Sequence, residues 1–338
     1  MSKKIIESGR MGFQVPVMNP FIACMHHKDQ FPVGDGNMRP THYISPRQIG
    51  SDFNHKAPWR MYHGDTVPGF PVHPHRGFET VTVMLEGFVD HSDGLGAAGR
   101  YGDGDVQWMT AGAGLQHAEM FPLLSDTEEN PMELFQIWIN LPAKDKFVAP
   151  YYKMLWNEKI PVIHETDSAG HEAQIRLLSG TYKGTPGLAP NPNSWASAPE
   201  NHVNIWVVTL ASEAEFTIPA VSGTLHRMLY HYEGGSLTVE GVATDADTYL
   251  HLVGDEEITV KNGTQPSRLL LLEGEPINEP VVSYGPFVMN TQDEIMAAYD
   301  DYRRTQFGGW PWEHDDPVHD KNTGRFAKYA DGTMEYPE

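Results

Sequence analysis

The sequence predicts an all-β (mostly β) protein made of two tandem, related β-barrels and one C-terminal helix. From residue 66 onward, short runs rich in Val, Thr, Phe and Trp end at Gly, Asp, Asn or Pro at close intervals, the pattern of a sandwich or barrel. Windows with the period of an amphipathic helix are rare. A weak internal repeat indicates a duplicated barrel, and 338 residues are enough for two domains of ordinary size.

The predicted strands are bounded by turn residues: ETVTVMLEG, GDVQWMTAG, ELFQIWINLP, HVNIWVVTLA, SLTVEG, TYLHLV and EEITVKNG. One helix is predicted over TQDEIMAAYDDYRR. It begins at Thr291, with Glu294 placed three residues further on as in a capping box, and Gly308 and Gly309 stop it. Residues 183–201 are rich in Gly, Pro, Asn and Ser, which predicts a long connection near the middle of the chain.

The internal repeat sets the predicted domain boundaries. VTVMLEGFVDH at 81–91 resembles RMLYHYEGGSLTV at 227–239, and in each half a Gly-Asp turn opens a further strand. The predicted domains are a first barrel with an inserted segment at 25–65, a second barrel, and a helix with a tail: 1–155, 156–290 and 291–338.

Composition excludes some classes of partner. The formal net charge is −21, from 45 acidic and 24 basic residues, and such a field repels phosphate backbones, so no direct nucleic-acid binding is expected. Cys24 is the only cysteine, which excludes an intrachain disulfide and a thiolate zinc finger and suits a reducing compartment. Neither a secretory leader nor a run of about 18 apolar residues is found, so we expect a cytoplasmic protein without a membrane span.

Two pairs of potential metal ligands stand at alternate positions. In VHPHRGFETV, His73 and His75 flank Pro74, and alternate side chains of an extended chain share one face. LQHAEMF supplies His117 and Glu119 at the same spacing. On neighbouring strands, the pairs would present three imidazoles and one carboxylate to a divalent ion and leave positions open for chemistry. Either pair alone is also explained by polar residues near a strand end; together they predict a metal site.

The repeat predicts a single metal per chain. The positions in the second half that correspond to the four predicted ligands carry none of the usual ligand types: Ala220, Ser222, Ser267 and Leu269. We therefore expect a second barrel without a metal. Histidine and carboxylate ligands accept iron, manganese, nickel, copper or zinc, so the residues alone leave the choice of metal open.

Three segments resemble the pirin family of two-domain cupins: HPHRGFETVTVMLEG, GDVQWMTAGAGLQHAEM and EPVVSYGPFVMNTQDEI. The resemblance implies two cupin-type barrels (double-stranded β-helix, a bicupin) and one metal in the first barrel, most often iron, here expected as Fe(II). The ligands that it implies are His73, His75, His117 and Glu119. Several bacterial pirins are similar to quercetin 2,3-dioxygenases, whereas some eukaryotic members act as nuclear co-regulators.

The first functional hypothesis is a metal-dependent dioxygenase that opens a small, flavonol-like aromatic substrate with O2. Glu119 would be its catalytic residue and would accept the proton of the substrate hydroxyl. The alternative is a non-catalytic metal-binding redox sensor or regulator that contacts a protein partner, and a cupin-type isomerase or hydrolase is a third interpretation. Four further side chains would either orient the substrate or serve structure alone: Arg76, Gln107, Gln136 and Trp138.

The chain departs from the family pattern in two places. The segment 25–65 is longer and more His-rich than usual and would line or cap the mouth of the pocket. Its histidines are interpreted as solvated or hydrogen-bonded loop residues and not as ligands: His26, His27, His42, His55 and His63. The tail after Trp310 extends beyond the short family ending, and we expect either a surface loop or a partly disordered segment.

Overall fold

The computed structural model describes residues 3–41 and 48–338, so His42 lies outside the described residues. These residues form a mostly β structure with a single α-helix, which confirms the predicted fold class. They divide into two compact units. The first-barrel unit comprises His26–Ile137, Leu141–Glu158 and Glu279–Glu338. The second-barrel unit comprises the chain up to Met25, Trp138–Asn140 and Lys159–Asn278.

The strands are numbered in chain order. Up to residue 186 they are β1 (Ile5–Arg10), β2 (Phe21–Phe31), β3 (Gly69–His75), β4 (Phe78–Glu86), β5 (Phe88–Asp93), β6 (Ala98–Gly102), β7 (Val106–Thr110), β8 (Leu115–Met120), β9 (Asn130–Asn140), β10 (Tyr151–Leu155), β11 (Val162–Thr166), β12 (Glu172–Ser179), β13 (Thr181–Tyr182) and β14 (Thr185–Pro186). Those that follow are β15 (Asn204–Leu210), β16 (Glu215–Ile218), β17 (His226–Gly234), β18 (Leu237–Val239), β19 (Val242–Thr244), β20 (Thr248–Leu252), β21 (Ile258–Lys261), β22 (Ser267–Gly274), β23 (Val282–Tyr284), β24 (Phe287–Met289), β25 (Phe326–Lys328) and β26 (Met334–Glu335). The helix α1 covers Gln292–Thr305.

Two sheets carry the strands that build the first barrel. One runs β10-β7-β4-β9-β2, and the other runs β26-β25-β6-β5-β8-β3. Strands β7 and β8 are buried at every position, so both of their faces are covered by other parts of the protein. The strands that carry the predicted ligands, β3 and β8, are antiparallel neighbours.

The second-barrel unit has an apolar interior. Its larger sheet runs β1-β20-β17-β22-β15-β12-β11, and its smaller sheet runs β16-β21-β18-β19. Fully buried side chains from both sheets form one hydrophobic core, with Leu229 and Leu271 from the larger sheet and Val260 from the smaller one. Burial of this apolar surface is the main stabilising contribution to the unit.

The structure places the domain boundaries differently from the prediction at both ends of the chain. Strand β1 pairs with β20, so the N-terminal residues belong to the second-barrel unit. The tail after Trp310 is laid on a sheet, where β25 pairs with β6, so helix and tail belong to the first-barrel unit and form no separate domain. Both pairings join residues far apart in sequence, and local patterns carry no signal for such pairings.

Helix α1 begins as predicted. The Thr291 hydroxyl accepts from the Glu294 main-chain N–H at 3.2 Å, and the Glu294 carboxylate accepts from the Thr291 N–H at 2.9 Å, which completes a capping box. The helix ends at Thr305, before the glycine pair, where Gln306 takes a left-handed φ of 50°. Within the described ranges α1 is the sole α-helix, and it lacks the length and apolar character that a membrane crossing requires.

Candidate metal centre

Strand pairing brings the two predicted ligand pairs together. In the antiparallel register of β3 and β8, His73 lies directly opposite His117, and His75 lies opposite Leu115. The register shifts between Phe70 and His73, which leaves Glu119 opposite Phe70. The alternation of a strand then turns the imidazoles of β3 and β8 to the same side of the sheet.

Three of the four predicted ligands form a compact group, which we call the histidine trio: His73, His75 and His117. Each offers a ring nitrogen, and these nitrogens all lie within 4.8 Å of one another. The ring centroids are 4.4 Å apart for His73 and His117, 4.8 Å for His73 and His75, and 4.9 Å for His75 and His117. Within the described part of the chain, this is the one group of three or more potential ligands that is so compact.

Burial keeps the trio in the protonation state that metal binding needs. It lowers the pKa of His73 to about 4 and lowers the pKa values of His75 and His117 well below the usual range, so all three rings are neutral at pH 7. Nδ1 of His73 donates to the Pro71 carbonyl at 2.9 Å, and Nδ1 of His75 faces the Pro286 carbonyl at 3.4 Å. These contacts leave Nε2 of both rings as the atom with the lone pair.

His117 shows that the trio fits a metal ion. Its side chain is fully buried, and neither of its ring nitrogens has a hydrogen-bond partner in the described protein. Buried polar atoms are nearly always paired, so an unpaired imidazole that faces two others is well suited to a divalent ion. Three nitrogen donors on one side would leave further coordination positions open.

Glu119 lies beside the trio and is held by other side chains. Its Oε2 is 3.9 Å from Nε2 of His117. The Gln136 amide donates to Oε2 at 3.3 Å, and the hydroxyls of Thr82 and Tyr101 lie 3.1 Å and 3.4 Å from Oε1. Burial raises the pKa of Glu119, and these hydroxyl contacts and the neighbouring His91 oppose the rise. That Glu119 is a metal ligand stays a prediction.

The side chains considered for substrate orientation differ in their contacts. Gln136 contacts Glu119 directly, and the Oε1 atom of Gln107 accepts from Tyr101. Arg76 has other partners: it donates to the Ala113 carbonyl at 2.6 Å and pairs with Asp301 of α1 at 2.5 Å. Trp138 falls in the short stretch of β9 that belongs to the second-barrel unit.

The described histidines of the segment 25–65 lie outside the trio. His26 and His27 are in strand β2 and not in a loop, because the strand begins already at Phe21. Nε2 of His26 is 2.8 Å from Oε1 of Glu133, and the ring stacks on Phe135. His27 is buried.

The segment 25–65 borders the site through its aromatic side chains. Tyr62 packs on Phe70, whose ring centroid lies 6.3 Å from that of His73. His63 faces the Gly50 carbonyl through Nδ1 at 2.7 Å, as expected for a hydrogen-bonded loop residue. Tyr62 thus reaches His73 only through Phe70, and that the segment lines or caps the mouth of a pocket stays a prediction.

A fourth imidazole near the trio, that of the buried His91 of β5, was missed by the sequence analysis. It lies opposite Glu119 in the register of β5 and β8, and its ring centroid is 5.6 Å from that of His117. A single histidine in FVDHSDG gives no spacing signal of its own. The clue that was available is its partner at the alternate position, Asp93, which faces the same side of the strand.

Comparisons with known proteins agree with this architecture. A family model described as Pirin matches residues 37–139, and one described as Pirin C-terminal cupin domain matches 205–308. A pirin-like protein from Solanum lycopersicum is 40% identical over 238 residues, which are 70% of this chain and 75% of that protein. A Pseudomonas aeruginosa protein named provisionally as a quercetin 2,3-dioxygenase is 38% identical over 244 residues, 71% of this chain and 80% of that protein.

A solved structure has a similar fold. The crystal structure of a quercetin 2,3-dioxygenase from Acinetobacter baumannii aligns with a TM-score of 0.70 at 27% identity, and the match covers 90% of this chain and 98% of that one. The first family model spans the whole histidine trio, and the second spans strands β16 to β24 and α1. The chain therefore belongs to the pirin family and has its fold of two cupin-type domains.

Proposed function

We propose that this pirin is an oxidoreductase of the quercetin or flavonol 2,3-dioxygenase type, with one divalent metal per chain. The proposed ligands are His73, His75, His117 and Glu119. The observation that carries the proposal is the convergence of three neutral imidazoles within 4.8 Å, that of His73 half-buried and the other two buried, in a fold shared with a quercetin 2,3-dioxygenase. Fe(II) is the favoured metal. The bound ion would act as a Lewis acid and orient the aromatic substrate and O2.

Glu119 is the proposed base of the reaction. Burial raises its pKa, which makes its carboxylate a better proton acceptor than an exposed glutamate. In the proposed step a hydroxyl proton of the flavonol passes to a Glu119 oxygen, and the electron pair of the O–H bond stays on the substrate oxygen. Gln136 and Thr82 hold the carboxylate in place beside the trio, so little reorganisation is needed when the proton arrives.

The test is aerobic incubation of the iron-loaded protein with quercetin. We expect loss of the quercetin absorption band together with release of carbon monoxide, the product that separates ring opening from simple oxidation. Replacement of His117 by Ala should abolish the reaction. The matched control is His231→Ala, because His231 is also a fully buried histidine but lies in the second-barrel unit; this variant should keep the activity.

The same assay addresses the alternative function. If the protein holds its metal but consumes no member of a flavonol panel, the dioxygenase proposal fails. A metal-binding redox sensor or regulator with a protein partner would then be the better account. If Glu119→Gln turns quercetin over at the wild-type rate, the proposed base is wrong even though the reaction class stands.

A further inference from the structure

His91 of strand β5 is a close neighbour of the histidine trio. The pairing of β5 with β8 sets His91 opposite Glu119 and Asp93 opposite His117. The His91 side chain is fully buried, and its ring stacks on that of Tyr152 at 5.0 Å with an angle of 10° between the planes. The ring thus has Tyr152 as a stacking partner and His117 as a neighbour, with ring centroids 5.6 Å apart.

Neither ring nitrogen of His91 has a hydrogen-bond partner in the described protein. Oδ2 of Asp93 lies 3.5 Å from Nε2 of His91, which is beyond ordinary hydrogen-bond length. This Oδ2 atom also has no hydrogen-bond partner in the described protein. Fully buried imidazoles are normally paired, so an unpaired one beside a candidate metal centre indicates a polar ligand. The Asp93 carboxylate favours the tautomer with the proton on Nε2, which leaves Nδ1 as a hydrogen-bond acceptor.

His91 is outside the ligand set itself. The compact group consists of the trio alone, and the ring of His91 is further from His117 than the rings of His73 and His75 are. It is therefore a neighbour of the trio and not a member of the compact group.

Side chains of the C-terminal tail donate hydrogen bonds to the backbone around His91. Nε1 of Trp312 donates to the Asp93 carbonyl at 2.8 Å, and Nε2 of His319 donates to the His91 carbonyl at 3.1 Å. Oδ1 of Asp93 accepts from two main-chain N–H groups of the following turn, at 2.9 Å and 3.0 Å. A side chain on a strand fixed in this way is preorganised for a specific contact.

We propose that His91 is a substrate-contacting residue whose Nδ1 accepts a hydrogen bond from a hydroxyl of the bound aromatic substrate. The inference rests on the proposed function for the class of substrate. It assigns to His91 a contact with a substrate hydroxyl in addition to the one that Glu119 would make.

The test measures equilibrium binding of quercetin to the zinc-loaded protein without O2, so that no turnover takes place. His91→Phe keeps a ring that can stack on Tyr152 but has no nitrogen, and His91→Asn places an oxygen near the position of Nδ1. We expect about tenfold weaker quercetin binding for His91→Phe, the size of one hydrogen bond, and recovery to within about threefold for His91→Asn. Both variants should hold as much zinc as the wild type.

Three other results of the binding measurement would overturn the inference, as would failure of the wild type to bind quercetin. Quercetin affinity of His91→Phe within about twofold of the wild type would show that no hydrogen bond is made. Equal losses in both variants would indicate packing alone, and loss of zinc from His91→Phe would make His91 a metal ligand. His231→Phe is the matched control and should bind quercetin normally. Binding without turnover by the iron-loaded protein would refute the dioxygenase and leave the His91 contact intact.

Discussion

The buried ion pair between Arg100 and Asp90 holds the C-terminal tail on the first barrel. Arg100 is 1% exposed and Asp90 is fully buried. Two guanidinium nitrogens of Arg100 donate to the two Asp90 oxygens at 2.6 Å and 2.7 Å, a bidentate arrangement. The remaining donors reach main-chain carbonyls of the tail, among them Asp320 at 2.9 Å and Thr323 at 2.7 Å.

Replacement of Arg100 by Met should destabilise the first-barrel unit strongly. It leaves the Asp90 carboxylate buried without its cation, and loss of one partner of a buried pair costs about 3–5 kcal/mol. The tail carbonyls lose their donor in the same step. We expect this loss in the free energy of unfolding from urea titrations, and faster amide hydrogen exchange in β5, β6 and β25.

The second-barrel unit offers a matched control. Arg227 and Glu273 are fully buried there and pair at 2.5 Å, so Arg227→Met makes the same chemical change. It should speed exchange in strands β17 and β22 and leave the tail protected. If Arg100→Met lowers the free energy of unfolding by less than about 1 kcal/mol, the value of an exposed pair, the buried pair is not strongly stabilising. Unchanged exchange in β25 would show that the pair does not hold the tail.

Three further predictions concern parts of the chain away from the trio. Cys24 is fully buried and its pKa is raised by burial, so it should react with a thiol reagent only after unfolding; reaction in the native state would contradict the burial. Burial lowers the pKa of Lys146 to about 8 from 10.5, so the unfolded chain binds more protons between these values. The free energy of unfolding should therefore rise with pH across this window, by up to about 3 kcal/mol, and Lys146→Met should remove the rise; an equal rise in the variant would contradict it. Thr291→Ala removes the helix cap and should lower the free energy of unfolding by about 1 kcal/mol, measured by thermal unfolding. An unchanged midpoint would show that the capping box is not stabilising.

The sequence was sufficient to predict that the three histidines of the trio lie together, because the spacing that indicates it is local. Alternation along an extended strand puts His73 and His75 on one side, and the same spacing at His117 identifies the partner strand. The surroundings of Glu119 were not predictable in this way. Its contacts with Thr82 and Gln136 depend on strands β4 and β9, whose register is set by the packing of the whole barrel.

The strand pairings at the two ends of the chain were not predictable from local sequence either. Nothing in the sequence of β1 indicates β20 as its partner, and nothing in the tail indicates that β25 pairs with β6. Arg76 follows the HPH motif and therefore suggested a role in the site, yet its partner Asp301 lies 225 residues away on α1. Such long-range pairings are decided by tertiary packing, which overrides local pattern.

Metal content is the most direct test of a single metal on the histidine trio. Wild-type protein purified without chelator should contain close to one equivalent of divalent metal per chain. The matched pair of variants is His117→Ala, which should contain almost none, and His231→Ala, which should match the wild type. Two equivalents in the wild type would contradict a metal-free second barrel, and full metal content in His117→Ala would contradict the trio as the site.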